Sequence, residues 1–279
     1  MDREKLTVTI SKDLFAQIDS VIDGRNIRNR SHATEFLIRQ GLGENRLRTA
    51  LILAGGQGTR LRPLTLELPK PMIPVHGRPL MANTIELLAH HGIKNVIISL
   101  GYKGESIKEY FGDGRRFELN IRYINEEQPL GTAGPLLLAK KWLKETFLLL
   151  NGDVLSDIDL TDLTHFHRTQ NGLATMSLAS VDDPEHFGAV RLRGSQILEF
   201  VEKPAKGQQP TNLINAGYTV CELGVLDYVK KGYSMLETDV YPALARDHKL
   251  SAYPFSGQWY HIGTPEQYEQ ALQGWHQPA

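Results

Sequence analysis

Three glycines in four residues, Gly55-Gly56-Gln57-Gly58, follow the apolar run Ala50-Leu51-Ile52-Leu53, and Thr59 and Arg60 come directly after. Glycines at such a point let backbone N–H groups approach phosphate oxygens with no Cβ in the way; a plain tight turn is the other reading of the same residues. The spacing is not that of a dinucleotide fingerprint, and no Gly-Lys-Ser/Thr follows to make a Walker loop. Downstream, Lys70 stands between Pro69 and Pro71, whose rings restrict its backbone. Two cations beside a phosphate cradle suit a triphosphate. A further candidate is Asp153, in Asn151-Gly152-Asp153 at the end of the apolar run Phe147-Leu148-Leu149-Leu150.

The elements that must hold these residues are legible as apolar runs. Residues 50–53 and 95–100 read as buried parallel strands, and Met81, Ile85 and Leu88 give a helical stripe between them that stops at Gly92. Strand, helix and strand in alternation predict an α/β fold: a mostly parallel, Rossmann-like sheet with helices on both faces. Ligands in such folds bind beyond the carboxyl ends of the strands, where both the glycine loop and Asp153 fall.

The loop Gly55-Gly56-Gln57-Gly58-Thr59-Arg60-Leu61-Arg62-Pro63-Leu64-Thr65 with Pro69-Lys70-Pro71-Met72 resembles the sugar-1-phosphate nucleotidyltransferase family. The resemblance runs from about residue 49 to 272. It continues through Glu127-Gln128-Pro129-Leu130-Gly131-Thr132-Ala133-Gly134, Leu150-Asn151-Gly152-Asp153, Phe187-Gly188, Phe200-Val201-Glu202-Lys203-Pro204 and Gly263-Thr264-Pro265-Glu266. Gly134-Pro135-Leu136, Asp182-Asp183-Pro184 and Asn215-Ala216-Gly217 are most similar to the mannose-1-phosphate guanylyltransferases of that family. The resemblance implies that a sugar phosphate oxygen attacks the α-phosphorus of a nucleoside triphosphate and pyrophosphate leaves. Arg60 and Lys70 would hold the triphosphate and Asp153 a Mg²⁺ ion. Leu53, Ala54, Gly55, Gly56, Gly58 and Thr59 would line the nucleotide, with Gln128 and Gly131 at the base. Gly188, Glu202, Lys203, Asn215 and Gly217 would take the sugar phosphate. Gln128, one acceptor beside one donor, matches uracil or thymine, whereas the guanylyltransferase likeness implies GTP, so the base stays open.

One position departs from the family pattern. Where a Trp-x-Asp is usual, this chain has Trp259-Tyr260-His261, which puts an imidazole in place of the second metal carboxylate. Mg²⁺ accepts nitrogen poorly, whereas Mn²⁺ or Co²⁺ tolerates it. Three outcomes follow: a weakened Mg²⁺ enzyme, an enzyme preferring a softer metal, or a nucleotide-binding protein without catalysis.

Upstream lies a different pattern. Leu6, Val8 and Ile10 alternate with Lys5, Thr7 and Thr9, as in a half-buried strand over residues 5–10; Leu14, Ile18, Val21 and Ile22 then mark a helix stopping at Asp23-Gly24. A second helix fits Asn29 or Ser31 as N-cap, Ala33, Phe36 and Leu37 as its buried side, and Gly41 as its stop. Such a segment cannot satisfy its strand edge or close a core alone. It resembles the ribbon-helix-helix family, which implies a homodimer through residues 1–44 and duplex DNA as a partner, with Lys5, Thr7 and Thr9 facing bases. The expected domains are residues 1–46 and 47–279, the short polar stretch 44–48 joining them. A nucleotide-sugar enzyme is the first function expected. A DNA-binding regulator whose larger domain senses nucleotide or sugar phosphate is the second.

The 279 residues carry a net charge of −1 and 41% hydrophobic residues, a globular composition that excludes general disorder. No apolar run reaches membrane-spanning length and the charged start does not read as a signal peptide, so a cytoplasmic protein with no membrane partner is expected. One cysteine, Cys221, rules out a disulfide framework within the chain and reads as a packed thiol. His90, His91, His165 and His167 lack metal spacing and read as helix or loop surface.

Overall fold

A computed structural model describes residues 6–22, 27–41 and 47–277, and contacts divide the chain into a unit of residues 1–46 and one of residues 47–279. In the first unit Ser11 Oγ accepts from Leu14 N–H and starts α1 (Lys12–Ser20), and Asn29 Oδ1 accepts from His32 N–H and starts α2 (Arg30–Gly41). Ile18, Ile27 and Ala33 are its buried core, with Phe36 and Leu37 half-buried, while Leu14, expected inside, is 45% exposed. Residues 6–10 carry no regular secondary structure, where alternation predicts a strand: a strand needs a ladder partner, and no described residue of the chain supplies one. Lys5, the Asp23-Gly24 stop and most of the joint at 44–48 lie outside the described residues.

The second unit opens with β1 (Thr49–Ala54), the short turn α3 (Leu64–Glu67), the two-residue strands β2 (Pro74–Val75) and β3 (Arg78–Pro79), and α4 (Leu80–His90). β4 (Asn95–Leu100), α5 (Gly104–Phe111), β5 (Asn120–Asn125), α6 (Gly134–Ala139), β6 (Phe147–Asn151), β7 (Val154–Ser156), α7 (Leu160–Thr169) and β8 (Ala174–Ser180) follow. The chain continues through β9 (Gly188–Arg193), β10 (Gln196–Glu202), β11 (Leu213–Cys221), α8 (Tyr241–Arg246), β12 (Leu250–Pro254), β13 (Trp259–His261) and α9 (Pro265–Gly274).

Nine of these strands form one sheet in the order β5-β4-β1-β6-β11-β8-β12-β10-β9. The first four run parallel, with α4, α5 and α6 in the connections between them. Beyond β6 the sheet is mixed: β11 runs antiparallel to β6 and β8, β12 parallel to β8, and β10 antiparallel to β12 and β9. The expectation of a mostly parallel sheet is therefore corrected. β9 returns into β10 through Gly194-Ser195, a connection too short for the crossover that a parallel neighbour requires.

Both faces of the sheet are covered, which explains the continuous apolar runs. Leu51, Ile97 and Leu149 point to one side, with Leu136 of α6 and Leu244 of α8. Ile52, Ile98 and Leu150 point to the other, with Ile85 of α4, Phe111 of α5 and Leu163 of α7. His167, expected at the surface, is instead 2% exposed: its Nδ1 meets Thr175 Oγ1 at 2.8 Å and its Nε2 meets Glu222 Oε1 at 3.1 Å. Burial lowers its pKa, with Glu222 acting in the opposite direction. Cys221 is buried and its thiol pKa is pushed up by that burial. No described helix is long and apolar enough to cross a membrane.

Candidate active site

The parallel half of the sheet delivers its residues by one rule: each stands just beyond a strand's carboxyl end. Gly55 follows β1, Gly101 follows β4, Glu126 follows β5, and Gly152-Asp153 follow β6. They share a cleft of about 650 Å³. Gly55 and Gly101 touch backbone to backbone, and a Cβ on Gly101 would lie 2.5 Å from Gly55 O, so the height of the glycine loop is set by the neighbouring strand. Gly152 N–H donates to Leu53 O at 2.9 Å and fixes the other side.

The stretch between Arg60 and Lys70 is held from outside. Thr65 Oγ1 donates to Gly58 O at 2.8 Å, Tyr102 donates its hydroxyl to Thr65 O at 3.1 Å, and Lys103 Nζ donates to the carbonyls of Leu66 and Glu67. Pro69 and Pro71 then frame Lys70, whose ammonium forms an ion pair with Asp153 Oδ2.

Asp153 is the electrostatic centre. Its burial would raise the pKa, but the Lys70 ammonium and, next, His261 outweigh it and hold the carboxyl far below the usual carboxylate range. β13 pairs His261 with Val154 of β7 and brings Nε2 to 3.5 Å from Asp153 Oδ2. Behind the ring, Gln267 Oε1 accepts from Gly263 N–H at 3.0 Å and lies 3.2 Å from His261 Nδ1. An amide oxygen can only accept, so Nδ1 carries a proton toward Gln267, and Nε2 is the nitrogen left to donate to Asp153 or, for an ion bound there, to offer its lone pair. Asp153 Oδ1 is buried and has no hydrogen-bond partner. Asp157 and Asp159 are engaged elsewhere: Asp157 accepts from Gln258, and Asp159 caps α7.

The antiparallel half supplies the far wall. At the end of β10, Lys203 Nζ lies 3.0 Å from Glu202 Oε1, and Lys203 N–H donates to Phe187 O. In β11 the ladder register shifts between Asn215 and Thr219; Asn215 Oδ1 accepts from Gly217 N–H at 2.9 Å and Trp259 Nε1 donates to Ala216 O at 2.9 Å. Gly131 (φ 74°) packs so closely that a Cβ would lie 2.3 Å from Ser234 O, and the neighbouring Thr132 hydroxyl donates to Glu237, a carboxylate whose pKa is raised by burial against that bond.

Leu53, Ala54, Gly55, Gly56, Arg60, Lys70, Gly131, Asp153, Gly188, Glu202, Lys203, Asn215, Gly217 and His261 all line this cleft. Gly58, Thr59 and Gln128 do not; Gln128 is exposed, and the acidic group that enters is Glu126, accepting from Ser99 Oγ and Leu130 N–H. Glu126 is the first residue beyond β5, a strand that the sequence reading did not identify. Nor were Thr132, Gln267 and Glu237 read from the sequence as site residues. In the first unit Thr7 and Thr9 are exposed.

A family profile described as Nucleotidyl transferase matches residues 49–277. The chain is 41% identical over 224 residues to mannose-1-phosphate guanylyltransferase of Mycobacterium tuberculosis, covering 78% of this chain and 62% of that protein. It is 38% identical over 228 residues to mannose-1-phosphate guanyltransferase of Pichia angusta, covering 78% and 61%. It therefore spans about three fifths of the length of these curated relatives. Among solved structures, HddC from Yersinia pseudotuberculosis superposes with a TM-score of 0.70 at 27% identity, over 81% of this chain and 99% of that one. A UDP-glucose pyrophosphorylase complexed with UDP-glucose shares the fold, with a TM-score of 0.72 at 22% identity over 81% of this chain and 97% of that one. With the profile covering the whole of the cleft-bearing unit apart from its extreme ends, the chain belongs to the nucleotidyl transferase family.

Proposed function

We propose that residues 47–279 join a nucleoside triphosphate to a sugar 1-phosphate, giving a nucleotide sugar and pyrophosphate, with GTP and a hexose 1-phosphate of the mannose kind as substrates. The observation that carries this is the convergence of Lys70 and His261 on Asp153 beside the glycine loop. A sugar phosphate oxygen bonds to the α-phosphorus as the bond from that phosphorus to the pyrophosphate oxygen breaks. The task of the protein is then alignment and neutralisation of charge. Arg60 and Lys70 hold the triphosphate, the backbone at Gly55 and Gly56 approaches its oxygens, and Lys203 receives the sugar phosphate.

The residues at Asp153 fit a divalent cation. A buried carboxylate oxygen without a partner, and an imidazole nitrogen 3.5 Å from the other oxygen of that carboxylate, make a mixed oxygen and nitrogen donor set, one that Mg²⁺ accepts poorly and that Mn²⁺ or Co²⁺ accepts better. Bound there, the ion would neutralise charge on the triphosphate. No group of three or more His, Cys, Asp or Glu able to hold an ion occurs among the described residues, so substrate oxygens and water would complete the shell.

Guanine is favoured over a pyrimidine. The Glu126 carboxylate can accept from both N1–H and N2–H₂ of guanine, whereas Gln128, whose chemistry suits uracil, is outside the cleft. The relatives support the same base: two are named for guanylyl transfer to mannose 1-phosphate, and HddC has been solved with GMP-PN.

For the first unit we propose a homodimer through residues 1–44, in which residues 5–10 of two chains form the ribbon that one chain cannot. Exposed Leu6, Val8 and Ile38 support it. Duplex DNA is the further partner that a ribbon-helix-helix unit implies, with Lys5, Thr7 and Thr9 on the reading face.

Pyrophosphate release, measured with GTP, UTP and dTTP against mannose and glucose 1-phosphates in Mg²⁺ and Mn²⁺, tests the enzyme reading. GTP with mannose 1-phosphate is expected to lead; nucleotide binding without release from any pair would favour a sensor.

A further inference from the structure

The residues beyond β5 and the segment before α8 are stitched together beside the cleft. Ser234 N–H donates to Leu130 O at 3.0 Å, and Ser234 O accepts from Ala133 N–H at 2.9 Å, so residues 130–134 and 234–237 run as a short backbone zip. Thr132 completes it from its side chain: its Oγ1 accepts from Leu236 N–H at 2.8 Å and donates to Glu237 Oε2. That single hydroxyl therefore sets both the backbone and the carboxylate. Asp239 braces the segment below by accepting from Met235 N–H at 2.9 Å.

Glu237 lines the cleft and lies close enough to Glu202 and Lys203 for their charges to act on it. Lys203 already pairs with Glu202, which leaves Glu237 with the Thr132 hydroxyl and its own backbone N–H as donors. A carboxylate has roughly four acceptor positions, so capacity remains on the side facing the cleft. A fixed, acceptor-only group beside the sugar-phosphate lysine is suited to a hydroxyl donor and unsuited to a phosphate.

We propose that Glu237, clamped by Thr132, is a specificity-determining residue that accepts a hydrogen bond from a ring hydroxyl of the hexose. The assignment rests on the reading of this cleft as a sugar-nucleotide site. A site built to bind a hydroxyl discriminates strongly against the analogue that lacks it, because the acceptor is then left unmatched. Thr132 is a positioning residue: it reaches the sugar only through Glu237.

The test uses the whole 279-residue chain and two readouts. Calorimetry compares GTP, GDP and GDP-mannose binding in the wild type, Glu237→Met and Glu237→Gln. GTP and GDP affinities should stay within about twofold, GDP-mannose affinity should fall about tenfold in Glu237→Met, and Glu237→Gln, which keeps one acceptor, should recover part of it. Turnover of the monodeoxy mannose 1-phosphates then identifies the hydroxyl: one analogue should be poor with the wild type and no worse than mannose 1-phosphate with Glu237→Met. If Glu237→Met does not fold, judged by thermal unfolding and GTP binding, the same deoxy profile in Glu237→Gln decides. Unchanged GDP-mannose affinity with an unchanged deoxy profile overturns the role of Glu237. A wild type that binds GTP but no better binds GDP-mannose than GDP overturns the sugar site itself, and the inference with it.

Discussion

In the larger unit every strand of the nine-stranded sheet has a ladder partner, and its apolar residues fill clusters on both faces. Among the described residues of the smaller one, the buried side chains are Ile18, Ile27 and Ala33, while Leu6 is 75%, Val8 57%, Phe15 42% and Ile38 46% exposed. On the homodimer proposed above, the difference is between a core closed within one chain and a core completed by a second copy. At roughly 45 residues a segment cannot bury enough of itself to stand alone, so exposed apolar side chains there have a meaning that scattered ones on a large domain lack.

The widest-reaching way to break that contrast is to remove residues 1–46. Dimers should become monomers by light scattering, while the unfolding temperature and transfer activity of the remainder change little. A truncated protein that stayed dimeric would place the interface in the larger unit. Next in size, Lys70→Met should lower transfer by roughly 10²–10³-fold with the circular dichroism spectrum intact, since one fixed charge at a reacting phosphoryl group contributes on that scale. Wild-type rates from that variant would show that the larger unit does its chemistry elsewhere.

Smaller effects sharpen the account of the larger unit. Replacing Gln267 by Leu frees the His261 ring and should weaken Mn²⁺ binding about tenfold, as loss of an outer partner of a metal-binding histidine commonly does. His261→Asp should move the preference towards Mg²⁺, read as the ratio of rates in the two metals. Glu126→Gln should shift the GTP to UTP ratio of kcat/KM towards UTP, and Gln128→Glu should leave it unchanged.

The smallest is a pH effect from the core. Burial holds the folded-state pKa of His167 below its ordinary value, so the unfolded chain binds the proton more readily. Stability from this group is complete above the unfolded pKa of about 6.5 and declines as pH falls below it, by at most about 1.4 kcal/mol per pH unit for one proton. His167→Gln should flatten that part of the stability curve, measured by urea unfolding at pH 7.5, 6 and 5.

Much of this was legible in the residues because the chemistry is carried by contiguous strings. The glycine loop and Asp153 each sit beside the strand end that positions them, and Lys70 is set by the prolines on either side of it, so local pattern and site coincide. The mixed sheet was missed for the opposite reason. Buried runs such as Leu148-Leu149-Leu150 announce burial on both faces but not strand direction, whereas direction was written in the brevity of Gly194-Ser195. Gln128 was assigned to the base through the family resemblance alone, whereas β5 ends three residues earlier and delivers Glu126 to the cleft. Glu237 lies over a hundred residues from Thr132 along the chain, and spacing carries no record of that meeting.

The zip between residues 130–134 and 234–237 makes the two selectivities of the site heritable as one. On the reading given above, the stretch after Glu126 serves the base and the stretch ending at Glu237 serves the hexose, yet they share the same hydrogen bonds through Ser234 and Thr132. A lineage that changed base by remodelling residues 130–134 would disturb the seat of Glu237 in the same step. New nucleotide–sugar pairings should therefore arise by paired substitutions across the zip, and a loop grafted from a relative with a different base should bring the sugar preference of its donor only when residues 234–237 are transplanted with it.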